Sequence, residues 1–269
     1  MISHQSNMTV DVIVVGYGAA GAAAALTAHE YGAETLIIEK MQQPGGNSYV
    51  SSANMVFPKN TEDADKLADY LNEVNFGTTE PELVDTFVRG LLENSAWLES
   101  LGGELEIYDF KQDTSLSYYI PNLTFPGLPS AQGLELVAKH LKQTETCPEP
   151  TGGARIWKLL ARHITSRGIK VMLSTPVKEL VKNERGEILG VVALSEGKEI
   201  LLTARKGVIM TCGGFENNQP MKWQHLHPKK EIGFFGSPGN TGDGIKMVQK
   251  VGAALLSNGK KSHSLSGCI

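Results

Sequence analysis

A chain of 269 residues has room for one large domain or two small ones with buried cores. Its net charge of −4 gives no electrostatic case for nucleic acid. Its longest apolar-rich stretch, the alanine run after Gly21, is interrupted by Thr27, His29 and Glu30 and is too short to span a membrane. Cys147, Cys212 and Cys268 are far apart and odd in number, so they form no disulfide framework and no metal pair; they read as reduced thiols of a cytoplasmic protein. The N-terminus has no basic region leading into an apolar one, so no secretory signal is expected.

An apolar run, Val12 to Val15, breaks at Gly16-Tyr17-Gly18-Ala19-Ala20-Gly21. An alanine-rich helix is expected to Tyr31, and a second apolar run, Thr35 to Ile38, ends on Glu39. This is strand, glycine turn, helix, strand, acid. In a dinucleotide fingerprint Gly16 permits the tight turn, Gly18 lets the backbone approach a pyrophosphate, and Gly21 lets the helix pack on the strand. Unpaired N–H groups at the helix start, around Ala19 and Ala20, favour phosphate. Glu39 stands where an acid accepts from ribose hydroxyls. An ordinary βαβ unit with a glycine turn is the alternative, and the full set of parts argues against it.

Pro44-Gly45-Gly46-Asn47-Ser48 is a polar glycine loop, and Val50 to Phe57 is expected to be partly extended. Thr61 to Asn75 has helical periodicity and stops at Gly77. Thr79-Glu80-Pro81-Glu82 reads as a capping box with Thr79 as N-cap, opening a helix that ends at Gly102-Gly103. Tyr108 to Gly133 is aromatic and irregular, a length of loop that is often functional. Leu134 to Gln143 is expected to be a short helix, and Ile156 to Ser166 a longer one. Ile169 to Leu173 reads as a strand. Val177–Lys182, Ile188–Leu194 and Glu199–Ala204 read as a β-meander, followed by a buried strand, Val208 to Cys212, entering Gly213-Gly214. Thr241-Gly242-Asp243-Gly244 opens a last helix. The polar tail 257–269 is expected to be disordered.

Four blocks together resemble the FAD-binding part of the fumarate reductase, flavocytochrome c and 3-ketosteroid dehydrogenase flavoproteins. They are the fingerprint with Glu39-Lys40, Pro44 to Ser48, Gly207 to Asn218 and Asn240 to Met247. The resemblance implies an α/β, Rossmann-like FAD-binding domain over 1–256, with a parallel sheet, helices and a β-meander inserted at about 175–206. It implies that Gly45, Gly46, Asn47 and Ser48 lie against the pyrophosphate and flavin, although a surface turn is the plainer reading of Gly45-Gly46 alone. Val177 stands where family members bond adenine through the backbone. Gly213 and Gly214 bring a strand end to the cofactor. Asp243 matches a position near the ribityl chain and also suits a helix N-cap. Cys212 departs from the family's alanine-threonine and reads as a packed, inert thiol near FAD.

Some family members attach FAD through a histidine after the glycine pair; residues 41–60 hold none, so FAD is expected to be noncovalent. The family's capping domain has no counterpart in this sequence, so truncation is expected, with a companion segment or self-association over uncovered apolar surface. Tyr118 and Tyr119 are candidate acids, with aromatic packing or a substrate-facing wall as the alternative. His225 and His227 give no zinc set. The expected activity is hydride exchange between flavin N5 and an activated carbon–carbon bond of a small-molecule substrate, an unsaturated acid or a 3-ketosteroid. A non-catalytic dinucleotide-binding module and an NAD-dependent dehydrogenase are the alternatives.

Overall fold

The computed structural model describes residues 8–107, 128–226 and 233–255. In chain order they form β1 (Met8–Val15), α1 (Ala19–Glu30), β2 (Thr35–Ile38), α2 (Gly46–Val50), β3 (Met55–Pro58), α3 (Thr61–Val74), α4 (Pro81–Ser100) and β4 (Leu105–Ile107). Then follow β5 (Leu136–Leu141), α5 (Gly152–Ser166), β6 (Lys170–Met172), β7 (Val177–Lys182), β8 (Ile188–Ser195), β9 (Lys198–Met210), α6 (Gln219–Leu226) and α7 (Asp243–Lys250). The described residues fall into two compact units, one from the segments 8–51 and 153–255 and one from the segment 52–152.

The first unit is an α/β layer built on a six-stranded sheet of order β6-β2-β1-β9-β8-β7. β6, β2, β1 and β9 are parallel, whereas β7, β8 and the start of β9 form an antiparallel meander. The near-continuous apolar runs of β1 and β2 suit strands covered on both faces. Ile13, Val15, Leu36 and Ile38 join Val191, Ala193, Leu202 and Ala204 in a core on one face. Val14 and Ile37, on the alternate pleat, are equally closed from solvent. Each such side chain contributes about 1.5–3 kcal/mol of burial. α1 buries Gly21, Ala22, Ala25 and Leu26, a single helical stripe whose small residues let it approach β1 and β2.

The second unit packs α3 and α4 around Ala64, Leu67, Tyr70, Val84 and Val88, beside a three-stranded sheet of order β3-β5-β4. Asn60 caps α3, its side chain accepting from Asp63 N–H.

Four local expectations are corrected. Leu134 to Gln143 is no helix: its middle is β5, which pairs with β3 on one side and β4 on the other. Cross-strand pairing that buries Ala138 and Leu141 overrides local preference. Thr79 does not cap α4. The helix begins at Pro81, whose fixed φ suits the first position, and Glu80 precedes it with no side-chain cap bond. Residues 46–50 are helical where a loop was expected through Ser48, while the segment 50–57 is extended in part, as expected, where β3 begins. The third meander strand and the buried strand after it are one, β9, continuous through Gly207 and ending at Met210. The tail 257–269 lies outside the described residues.

Candidate functional site

Every candidate cofactor residue lies in the first unit, and strand register explains how they meet. Val15 sits beside Ile38 and Met210, and Ile38 beside Met172, so four parallel strands end level with one another. The ladder runs one step further. Gly16 N–H donates to Ile38 O, Glu39 N–H to Met172 O and Thr211 N–H to Val15 O, each at 2.8 Å. Fingerprint, acid and Gly-Gly segment therefore emerge side by side, at the carboxyl edge where open parallel sheets hold ligands.

The glycines divide into two kinds. A Cβ on Gly21 would lie 2.0 Å from Gly16 O, and one on Gly16 would lie 2.4 Å from Thr211 O, so both serve the close fit of helix and strands. Gly213 and Gly214 face Asn240 and Glu216, where a Cβ would come within 2.7 and 2.8 Å of side-chain oxygens. Gly18 is different. Its backbone is extended, and a Cβ there would meet nothing closer than Ser48 Oγ at 3.4 Å. Neither backbone strain nor packing demands glycine at 18. The head of α1 is left bare, and the N–H groups there suit a phosphate.

Ser48 stands next to that head, its hydroxyl oxygen accepting from Ala19 N–H at 3.1 Å, which leaves its own hydrogen to donate. The loop before it is pinned by one carbonyl: Tyr17 O accepts from Gly45 N–H at 2.9 Å and from Trp157 Nε1 at 3.0 Å. The Tyr17 ring meets Trp157 edge-on, and burial pushes its phenol up to about 12, so it stays neutral. Gly45 is tightly held, since a Cβ would lie 2.7 Å from Tyr49 Cβ, whereas Gly46, at φ +51, has nothing within 4 Å. At the start of α5, a Cβ on Gly153 would lie 2.2 Å from Ser48 O, so this glycine is needed for α5 to abut α2.

Glu39 is half-buried, and each oxygen already accepts one N–H, Oε2 from Tyr17 and Oε1 from Met41, both at 2.8 Å. A carboxylate has about four acceptor positions, so ribose hydroxyls can still be accepted. Beside it Lys40 Nζ is 2.6 Å from Asp243 Oδ2 and 2.8 Å from Thr241 Oγ1. Burial opposes the charge on Asp243, but the Lys40 ammonium and the Thr241 hydroxyl outweigh it and hold the carboxyl below its ordinary value. Asp243 is the first residue of α7, where a negative charge suits the helix dipole.

Cys212 is half-buried, and burial, followed by the charges of Asp243 and Glu39, pushes its thiol up to about 11. Its Sγ lies 3.4 Å from Val15 O, and a Cβ on Gly244 would lie 2.8 Å from Cys212 Cβ. Val177 opens β7 opposite Ala193, two residues after Thr175, whose N–H donates to Glu39 O at 2.9 Å. Asn47 turns its side chain to protein: Nδ2 donates to Glu216 Oε1 at 3.0 Å, and Oδ1 accepts from Ser237 N–H at 2.7 Å.

The contacts close a circuit. It runs from Glu39 to Tyr17, past Gly18 to Ala19 and Ser48, from Asn47 to Glu216 and Gly214, then through Gly242, which donates to Gly214 O, to Asp243 and Lys40. Trp157, Glu216 and Asn240 were not read from the sequence. Glu216 and Asn240 lie within the motif blocks, but their partners are far away in the chain. Trp157 had no local signal. Tyr118, Tyr119, His227 and Cys268 lie outside the described residues. His225 packs edge-on against Phe215, and among the described residues no three His, Cys, Asp or Glu side chains group as a metal site. No helix of the described residues is long and apolar enough to cross a membrane.

A bare glycine-headed helix, an acid at the next strand end and a second glycine loop over the same carboxyl edge define a dinucleotide-binding flavoprotein fold. The chain belongs to the FAD binding domain family, whose model matches residues 11–264, and its cofactor is FAD. It is 30% identical over 259 residues to an NADH:fumarate oxidoreductase of Klebsiella pneumoniae, covering 93% of this chain and 25% of that protein. It is 25% identical over 318 residues to a 3-oxosteroid 1-dehydrogenase of Mycobacterium tuberculosis, covering 91% and 54%. In fold it is similar to a 3-ketosteroid-Δ4-(5α)-dehydrogenase of Rhodococcus jostii RHA1, with a TM-score of 0.73 at 19% identity, over 94% of this chain and 56% of that one. The chain thus spans between a quarter and about half the length of these proteins. With FAD established, the NAD-dependent dehydrogenase alternative falls away.

Proposed function

We propose that this chain, over 1–256, is the FAD-holding part of an oxidoreductase acting on a carbon–carbon bond next to an electron-withdrawing group. The observation that carries this reading is the bare Gly18 at the head of α1, level with Glu39 and the Gly213-Gly214 strand end. Bound FAD supplies hydride exchange at flavin N5. In this reading Glu39 accepts from the adenosine ribose, and the Val177 backbone lies toward adenine. The α1 N–H of Ala20, with the Ser48 hydroxyl that the Ala19 N–H holds in place, binds the pyrophosphate. Lys40 and Asp243 neutralise each other and keep the start of α7 seated beside Glu39. Binding is noncovalent, since residues 41–60 offer no histidine.

The names of the relatives support an unsaturated acid or a 3-ketosteroid as the substrate class, with Tyr118 or Tyr119 as candidate acids. A second reading is a dinucleotide-binding module without turnover of its own. Steady-state assays separate the two: a reduced dye with fumarate, and a 3-ketosteroid with an electron acceptor. Turnover with either substrate supports a complete site and moves attention to Tyr118 and Tyr119. FAD uptake without turnover supports the module.

A further inference from the structure

Glu216 is an acid that the site leaves half used. Its Oε1 accepts from Asn47, while its Oε2 is closed from solvent and no donor reaches it among the described residues. The neighbouring backbone makes room for this pair. A Cβ on Gly214 would lie 2.8 Å from Oε2, and one on Gly236 would lie 2.6 Å from Asn47 Oδ1. A buried carboxylate oxygen without a donor carries its full desolvation cost until a donor arrives.

The polarity of the pair is locked. Ser237 N–H can only donate, so it must meet the oxygen of the Asn47 amide, as it does at 2.7 Å. Nδ2 therefore faces Glu216, and Oε2 is the oxygen left over. Along the circuit of contacts, Glu39 meets the turn before Gly18, whereas Ser48, Asn47 and Glu216 follow after it. If Glu39 reads the ribose and the helix head holds the pyrophosphate, Glu216 stands on the flavin side.

We propose that Glu216 is a positioning residue for bound FAD, its Oε2 accepting from a ribityl hydroxyl or a ring N–H beyond the pyrophosphate. This rests on the FAD reading above. The closing experiment titrates the full chain with FAD and, separately, with ADP, which carries the adenosine and pyrophosphate but no flavin. Glu216→Gln is the informative variant. Its carbonyl still accepts from Asn47, because the Ser237 N–H forbids the flipped arrangement, and its amide nitrogen replaces the charged acceptor at the flavin side, setting donor against donor for a ring N–H and leaving only a neutral bond for a ribityl hydroxyl.

The expected result is FAD affinity weakened about tenfold or more, the factor for losing one well-made bond to a charged group. ADP affinity should not change. The midpoint potential of the bound flavin should move positive, because a negative charge has left its surroundings. If Glu216→Gln fails to fold, Glu216→Ala is read by the same ratio, which must shift about tenfold against FAD relative to ADP. Equal weakening of both ligands, or wild-type FAD affinity in Glu216→Gln, overturns the assignment. A wild-type chain that binds neither ligand overturns the FAD reading itself, and the assignment with it.

Discussion

Lys40 and Asp243 are 203 positions apart in the chain, and their charged groups meet at 2.6 Å. The contact ties the residue after Glu39 to the first residue of α7, and Thr241 bonds to both partners. Both ends are partly exposed, at 27% and 42%, so water screens the attraction. Because Asp243 titrates below its ordinary value, the pair contributes stability above pH 3.8 and loses it as pH falls further. Asp243→Asn should cost about 0–1 kcal/mol near pH 7. The gap between the thermal midpoints of variant and wild type should close below pH 3.8 and narrow in 1 M salt. A gap that stays constant to pH 3 would show that the charge pair contributes nothing.

Gly18 and Gly21 should respond in opposite ways to the same substitution. Gly18→Ala adds a methyl that finds ordinary contacts at 3.4 Å, on a backbone that alanine accepts. Its fold should hold within about 0.5 kcal/mol, as for substitutions that disturb no packing, while FAD affinity falls. Gly21→Ala drives a methyl to 2.0 Å from Gly16 O and should destabilise the fold itself by at least 1–3 kcal/mol, roughly the cost of overpacking. Denaturant melts without ligand, beside FAD titrations, read the two effects apart. Equal loss of stability in both variants would remove the distinction between packing and ligand glycines.

Glu39→Ala should weaken FAD by about 1.5–3 kcal/mol, the range for a bond to a charged group. The substitution also reaches the fold. Tyr17 and Met41 N–H groups both lose their acceptor, so the chain without ligand should also lose about 1–3 kcal/mol. Chemical denaturation in the absence of FAD checks the second effect, and calorimetric titration the first.

Cys212 should be slow to alkylate. With its thiol pushed up to about 11, only about one in a thousand is ionised at pH 8. Iodoacetamide labelling followed by peptide mapping should find Cys212 unmodified at pH 8 and labelled once the chain is unfolded. Rapid labelling of the folded chain at pH 8 would contradict a packed thiol.

The parts of this fold with local signals were legible. Apolar runs, glycine turns and a terminal acid place β1, α1 and β2, and the turns of the meander place β7 and β8. Contacts that join distant segments were not legible. Nothing near Lys40 announces Asp243, and nothing near Asn47 announces Glu216. β5 was misread because its strand character comes from β3 and β4 on either side, not from its own residues. Thr79 matched a capping box, yet Pro81 two residues later set the start of α4.

The central claim is that the first unit holds FAD noncovalently on its carboxyl edge. The most direct test is the visible spectrum of the purified chain after incubation with FAD and removal of free ligand, before and after denaturation. The account predicts flavin bands that survive desalting, then leave with the supernatant once the protein is precipitated. A chain that keeps no flavin, or whose flavin stays with the precipitate, would contradict it.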